Sequence, residues 1–196
     1  MTEKHLTSIL LSLALGSACF AASWNIDPMH STATFAVKHM MVSTVHGSFT
    51  GLKGSVDYEP SKLDAAKATL TIDASTVDTR NDYRDKDLKS DNFFDVTKYP
   101  TITFVSKRAE PVADGKFKLI GDMTIHGVTK EVTWNVEGPA SAVKDPKGML
   151  RSGATATTKV NRKDFGLTWN KTLDGGGVMV GDDVDLTVEV ELVQAK

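Results

Sequence analysis

The sequence predicts an all-β protein: about eight antiparallel strands closed into a single barrel, with a helical insert capping one end. Three observations carry that expectation. Apolar and polar residues alternate with period two through most of the chain. The runs are long and evenly spaced with one dry and one wet face, which suits a closed sheet better than a sandwich. The alternation halts once, from Asp78 to Phe104, where six aspartates lie among basic residues ahead of a Phe93-Phe94 pair and a Tyr99-Pro100 stop.

The first segment is set apart from the fold. Lys4 and His5 precede an apolar run from Leu6 to Ala18, too short to span a bilayer, and small residues at Cys19 and Ala21 bracket Phe20. This pattern predicts a secretory signal peptide over residues 1–21, cleaved after Ala21, and an exported domain over 22–196. Cys19 is the only cysteine, so the mature chain would hold no thiol for disulfide, thiolate-metal or nucleophile chemistry. A lipidated Cys19 is the alternative, against which Gly16 stands where a large aliphatic residue is expected. About 175 residues then remain, enough for one domain with one sizeable core. With 23 basic and 25 acidic residues interspersed, no stripe of either sign suggests nucleic acid or an anionic membrane surface.

Taken in order, Ala33, Phe35, Val37 and His39 share one strand face, and Met40-Met41-Val42 extends the apolar character toward a turn at Gly47. Gly54 to Tyr58 reads as a short strand, Pro60-Ser61-Lys62 as a loop, and Ala68, Leu70 and Ile72 as the next inward set. After the insert, Ile102 and Phe104 resume the alternation. Phe117, Leu119, Gly121, Met123 and Ile125 form a long inward face, His126-Gly127 a turn, and Val132, Trp134 and Val136 the returning strand. A turn-rich loop spans Pro139 to Gly148, a strand of small residues follows to Val160, and Gly175-Gly176-Gly177 marks a mobile loop. The last strand places Val184, Leu186, Val188, Val190 and Leu192 inside. Several inward positions are small: Ala33, Ala68, Gly121, Ala154 and Ala156. Either the lumen is unfilled and holds one small ligand, or Phe35, Phe104, Phe117 and Trp134 interdigitate with those positions; periodicity leaves both open.

Within the insert, Thr79 and Asp82 have the form of an N-cap with an acidic third position. Arg80, Arg84 and Leu88, four apart, would share a helical face. Two guanidiniums there could hold a phosphate or pyrophosphate at a pocket mouth, although surface pairing with the neighbouring aspartates is the commoner use of such residues. Adjacent Phe93 and Phe94 cannot both face water cheaply, so at least one should plug the barrel mouth.

Five ordered motifs then carry a resemblance. They are Trp24-x-Ile26-Asp27-x-x-His30-Ser31, Arg84-Asp85-x-x-Leu88-x-Ser90-x-x-Phe93-Phe94-Asp95, Tyr99-Pro100-x-Ile102-x-Phe104, Gly121-x-Met123-Thr124-Ile125-x-Gly127-Val128-Thr129-Lys130 and Asn161-Arg162-x-Asp164-Phe165-Gly166. In this, essentially the whole mature chain resembles the YceI-like family of polyisoprenoid-binding proteins. The resemblance implies a lipocalin-like barrel with a helix at its opening and an elongated apolar lumen for a long isoprenoid or other amphipathic lipid, in the periplasm. It also implies a quinone-like isoprenoid as a variant ligand and a cytochrome b561-type membrane protein as a candidate partner. One departure stands out: Asp87 occupies a position where the family often has His.

The ligand-binding set expected from the inward faces and the insert is Phe35, Val37, His39, Leu70, Ile72, Arg84, Leu88, Phe93, Phe94, Ile102, Phe104, Met123 and Trp134. Arg84 is the head-group candidate. No catalytic constellation is expected: Gly47-Ser48-Phe49-Thr50-Gly51 has Phe where a nucleophile elbow needs Ser, the acidic insert lacks a calcium-loop pattern, and no carboxylate pair lies on an inward face. The sequence therefore favours a non-catalytic lipid carrier or reservoir with no other cofactor and no metal, with a homodimer as a candidate assembly. The competing reading is a periplasmic enzyme or metal protein using His30, His39 and His46 near the barrel mouth. A packed barrel that binds a partner protein is the third.

Overall fold

A computed structural model describes residues 22–59, 62–113 and 115–195. The expected signal segment, Cys19 and the Pro60-Ser61 part of the expected loop lie outside the described residues. The strands are β1 (Ala22–Ile26), β2 (Thr32–His39), β3 (Ser43–Phe49), β4 (Lys53–Tyr58), β5 (Lys67–Asp73), β6 (Thr101–Ala113), β7 (Lys116–Ile125), β8 (Val128–Glu137), the short β9 (Val143–Lys144), β10 (Leu150–Asn161) and β11 (Val180–Gln194), with one helix, α1 (Asp82–Lys89).

These segments close into an eight-stranded antiparallel barrel because two of the staves are broken. β1 and β2 pair in succession with the same edge of β11, Ile26 opposite Leu192 and then Thr32 opposite Glu189. β3 and β4 pair in turn with β2 and β1. Each broken pair is one stave, and β10 against β11 completes the ring. At the first break the chain loops out over Asp27 to Ser31. The Ser31 hydroxyl takes over the ladder there, accepting from the Glu191 N–H at 3.0 Å and facing the Glu191 carbonyl at 3.5 Å. The Glu191 carbonyl meanwhile accepts from the Asp27 N–H at 2.8 Å, so both backbone groups of Glu191 are satisfied across the break.

The alternation sets the inward residues. Leu70 lies opposite Phe104, Phe104 opposite Met123, Leu119 opposite Trp134, and Val188 opposite both Ala33 and Ala156. Gly121 belongs to this face because the Phe104 ring lies over it: a Cβ there would come within 2.8 Å of Phe104 Cζ.

Two local expectations are corrected. The β2–β3 turn falls at Met40 and Met41, both with positive φ (51° and 61°), and Gly47 lies inside β3. Residue 47 is glycine for a packing reason instead, since the Cζ of the Phe35 ring would stand 2.3 Å from a Cβ there. The helix also starts later than its sequence suggests. Asn81 is the N-cap, its side chain accepting from Arg84 N–H, while Thr79 is buried and Arg80 lies ahead of the helix at φ 60°. Arg80 therefore shares no helical face with Arg84 and Leu88.

The insert closes a gap in the sheet. β5 and β6 end together at Asp73 opposite Thr101, leaving the outer edge of β3 bridged, among the described residues, only by Ser48 with Asp78. The segment from Ala74 to Pro100 packs across that edge. Its return is anchored by Tyr99, whose ring meets His126 edge-on at 4.5 Å and lies against Gly127. Gly127 has φ 73°, and a Cβ there would strike Tyr99 at 2.5 Å, so the turn needs glycine on both counts.

Candidate functional site: a two-chamber apolar lumen

The lumen is not filled. Two chambers lie in series along the barrel, with about 120 Å³ and 100 Å³ open to the centre of a water molecule. Leu70, Phe104, Trp134 and Val188 line both and form a waist between them. The first chamber lies at the α1 end, against Phe49, Phe93, Phe94, Phe165 and Leu167. The second lies at the opposite end, against Ile26, Ala68, Ala154, Ala156 and Leu192. Three of the small positions singled out in the sequence, Ala68, Ala154 and Ala156, thus leave room in the second chamber, and Ala33 does so in the first. A single water needs roughly 10–15 Å³ by this measure and two to four polar partners. Both chambers have the space and lack the partners, which makes them suited to hydrocarbon rather than to water.

Most of the expected ligand-binding residues come together. Phe35, Val37, Leu70, Ile72, Leu88, Phe93, Phe94, Ile102, Phe104, Met123 and Trp134 all line the first chamber. Phe93 is buried against Trp169 (ring centroids 5.2 Å apart), and Phe94 meets Phe49 edge-on at 5.6 Å. Both aromatics therefore plug the mouth, from the turn that follows α1. Leu88 comes from the inner face of that helix.

Two of the expected residues lie off the chamber walls. Arg84 is spent on the insert itself: its Nε donates to Thr79 Oγ1 at 2.7 Å and its Nη2 to the Thr79 carbonyl at 2.9 Å. Thr79 in turn donates from its hydroxyl and its N–H to the buried Asp85 carboxylate. This network locks the entry to α1, which is the reason the guanidinium does not reach the lumen. His39 has the inward parity of Phe35 and Val37, yet it ends β2, opposite Ser43, beyond the chamber.

Asp87, the departure from the family pattern, is likewise turned to local work. Its carboxylate accepts from Asn92 Nδ2 and its carbonyl from Ser90, closing the turn after the helix.

Arg162 is the residue that sequence reasoning missed. Among the described residues it is the one charged residue on the wall of the first chamber, and it is only 5% exposed. Its hydrogens go to the carbonyls of Gly181, Leu167, Trp169 and, more distantly, Val180, with Asp182 at 3.6 Å. Burial pushes its pKa below the usual guanidinium value, and Asp182 opposes that. With its donors consumed, it offers the chamber mainly its hydrocarbon stem. Phe165 and Leu167, three and five residues after Arg162, were also missed; an apolar pair two apart directly after the Arg162-Lys163-Asp164 run was the available signal.

The histidines do not assemble. His30 precedes β2 and His39 ends it, which at about 3.3 Å per residue separates them by most of the length of the strand. His46 is exposed on β3. Asp27, His30 and Glu191 do bring ligand-type atoms within 4.8 Å of one another. Arg151 already occupies that position: its Nη1 donates to Asp27 Oδ2 at 2.8 Å and also pairs with Glu191, while its Nε donates to Asp145 at 2.9 Å. Arg151, and after it His30, hold the Asp27 carboxyl well below the usual carboxylate range.

Comparison with known proteins agrees with this architecture. A profile of the YceI-like domain matches residues 24–192. UPF0312 protein SAS2572 of Staphylococcus aureus (strain MSSA476) is 36% identical over 169 residues, covering 86% of this chain and 96% of the relative. Among solved structures, the Campylobacter jejuni YceI protein superposes with TM-score 0.68 at 28% identity, covering 97% of this chain and all of that one. Burkholderia cenocepacia BcnA gives 0.72 at 22% identity, covering 85% and 98%. A polyisoprenoid binding domain from Saccharophagus degradans gives 0.65 at 16% identity, covering 89% and 99%. With a profile match over most of its length and a relative above 30% identity, the chain belongs to the YceI-like domain family.

Proposed function

We propose that this protein binds a long-chain isoprenoid or other amphipathic lipid in its lumen and stores or carries it without chemical change. One observation supports this above the others: two apolar chambers run in series, and the one charged wall residue of the first among the described residues has its donors committed to backbone carbonyls. Burial of hydrocarbon contributes about 0.8 kcal/mol per methylene, so a long tail needs few polar contacts to bind tightly. The Saccharophagus neighbour, described as polyisoprenoid-binding, is consistent with such a cargo although its identity to this chain is low. The apolar run of residues 6–18 and the small residues at 19 and 21 support export to the periplasm with cleavage after Ala21. A lipid carrier there would exchange with a membrane partner, for which a cytochrome b561-type protein is the candidate. A quinone-like lipid is the variant cargo, and a second copy of the chain is a candidate partner.

Native mass spectrometry and organic extraction of protein purified without added lipid test the function. A stoichiometric prenyl lipid is the expected result. Protein that is repeatedly empty and takes up no prenyl lipid from detergent would overturn it.

A further inference from the structure

Exposed large apolar side chains are unevenly spread over the molecule. Met29, Val105, Val112 and Val143 stand singly in sequence, which is ordinary for a protein surface. Met40, Met41 and Val42 are consecutive and 41%, 61% and 84% exposed. They form the tip of the β2–β3 hairpin, closed by the Val42 N–H on the His39 carbonyl at 3.1 Å. The tip lies beyond the α1 end of the lumen, since Val37 lines the first chamber and β2 runs on through His39 before turning. Its base is fixed to the chain leading into β11, where the Met40 N–H donates to the Met179 carbonyl at 2.8 Å.

This tip is costly in water twice over. Both central positions of the turn have positive φ, 51° and 61°, where Asn-Gly is the usual pair. Methionine strains the backbone there and leaves hydrocarbon exposed. Two cations flank it: Lys38 precedes Met40 by two residues, and the Lys171 carbonyl accepts from the Met179 N–H at 2.9 Å. Both lysines are exposed, and among the described residues neither ammonium has a carboxylate partner; Lys38 Nζ donates to Thr44 Oγ1 at 3.0 Å.

We infer that the Met40–Val42 tip wedges into the surface of a phospholipid bilayer and sets the α1 end of the barrel against it, so that cargo passes between lumen and membrane there. A three-residue tip falls well short of the roughly 800 Å² per partner typical of a stable protein interface. Apolar side chains with cations at their base instead match acyl chains beneath phosphate head groups. Tyr83 of α1, 87% exposed, adds at this end a ring of the amphipathic kind that suits a membrane interface. Two lysines make no polybasic stripe, so the apolar tip dominates and anionic lipid is not required. This rests on the lipid-binding reading and deepens it by naming the end at which lipid is exchanged.

The test uses Val42→Trp and, at the opposite end of the barrel, Val112→Trp, with wild type supplying the background of the native tryptophans. Emission is recorded with vesicles of phosphatidylcholine and of its dibrominated analogue, whose bromines quench indoles that reach the acyl region. The added emission of Val42→Trp should fall about twofold with the brominated lipid, and that of Val112→Trp should not change. Met41→Asp, in which aspartate tolerates the left-handed turn, should slow transfer of a fluorescent prenyl lipid from protein to phosphatidylcholine vesicles about tenfold while the protein holds as much lipid as before. Val112→Asp should transfer at the wild-type rate. No quenching of Val42→Trp, equal quenching of Val112→Trp, or wild-type transfer by Met41→Asp would overturn the docking. If Val42→Trp responds only to vesicles that carry native membrane proteins, the tip docks on a protein and the bilayer assignment is overturned. Quenching of Val42→Trp in a protein that takes up no prenyl lipid supports the docking and overturns the lipid-binding reading, so the two fail separately.

Discussion

At the α1 end of the barrel, rings close the lumen: Phe49 packs on Phe94 and Phe93 on Trp169, and Phe49, Phe93 and Phe94 line the first chamber. At the opposite end, Asp27, Asp145 and Glu191 converge on Arg151 and pin the interruption between β1 and β2 to β10 and β11. The first device is apolar and faces the lumen. The second is ionic and, by strand parity, lies on the outer surface, since Arg151 and Glu191 alternate with the inward Ser152 and Leu192. The two ends should therefore respond to different perturbations. A lipid entering the lumen competes with ring packing and leaves the ion cluster untouched, whereas acid and salt act on the cluster and leave the rings alone.

The largest expected effect comes from Arg162, which ties the Asn161–Gly166 turn to β11 at the aromatic end. Arg162→Met removes the donor to several buried carbonyls and should cost about 3–5 kcal/mol in urea unfolding. A loss under about 1 kcal/mol would mean that the carbonyls find other partners.

Phe93→Ala comes next, at about 3 kcal/mol, because it empties a buried ring site beside Trp169. It should also weaken lipid uptake more than any change at Arg151. If Phe93→Ala and Arg151→Met alter uptake equally, the contrast between the two ends is wrong.

The ionic end supplies the pH dependence. Arg151, first among the causes, lowers the carboxyl pKa of Asp27 and of Asp145 in the folded state. An unfolded aspartate titrates near about 3.9. The stabilisation is therefore complete above that value and is lost as pH falls through the lower folded pKa. Wild type should lose stability on acidification below about pH 4, and Arg151→Met, weaker at neutral pH, should lose less over the same range. Parallel stability–pH curves for the two proteins would show that the cluster is not the source.

The smallest effects are expected at Arg84 and Asp87, whose contacts stay within the insert. Arg84→Met should leave lipid affinity within about twofold and lower stability by about 1–2 kcal/mol through loss of its bonds to Thr79. Asp87→His should change stability by less than about 1 kcal/mol, since it loses only the exposed contact to Asn92. A large fall in lipid affinity from Arg84→Met would restore it as a head-group ligand.

Much of this site is legible in the sequence because strand parity is a local property. Leu70, Ile72, Ile102, Phe104, Met123 and Trp134 each declare their side of the sheet through their immediate neighbours, and each lines a chamber. Parity fails at strand ends. His39 has the right side and the wrong height, because height depends on where the Met40-Met41 turn falls, which puts His39 at the strand end opposite Ser43. The places of Arg84 and Arg162 are hidden for a similar reason: Arg84 stays off the chamber wall and Arg162 lies on it, each with its donors spent locally. A charge in a helical insert looks available and one in a strand-turn segment does not, yet the deciding fact is which carbonyls and hydroxyls lie within reach after folding.

By itself the sequence determined the barrel, its inward face and the place of the insert, since these follow from a period-two pattern and one interruption of it. Tertiary structure alone decided that two staves are broken, that the side chains leave two chambers unfilled, and that Leu70, Phe104, Trp134 and Val188 meet at the waist between them. Those outcomes depend on ring closure and on side-chain volumes meeting across the barrel, between residues far apart in the chain, and no local pattern records them.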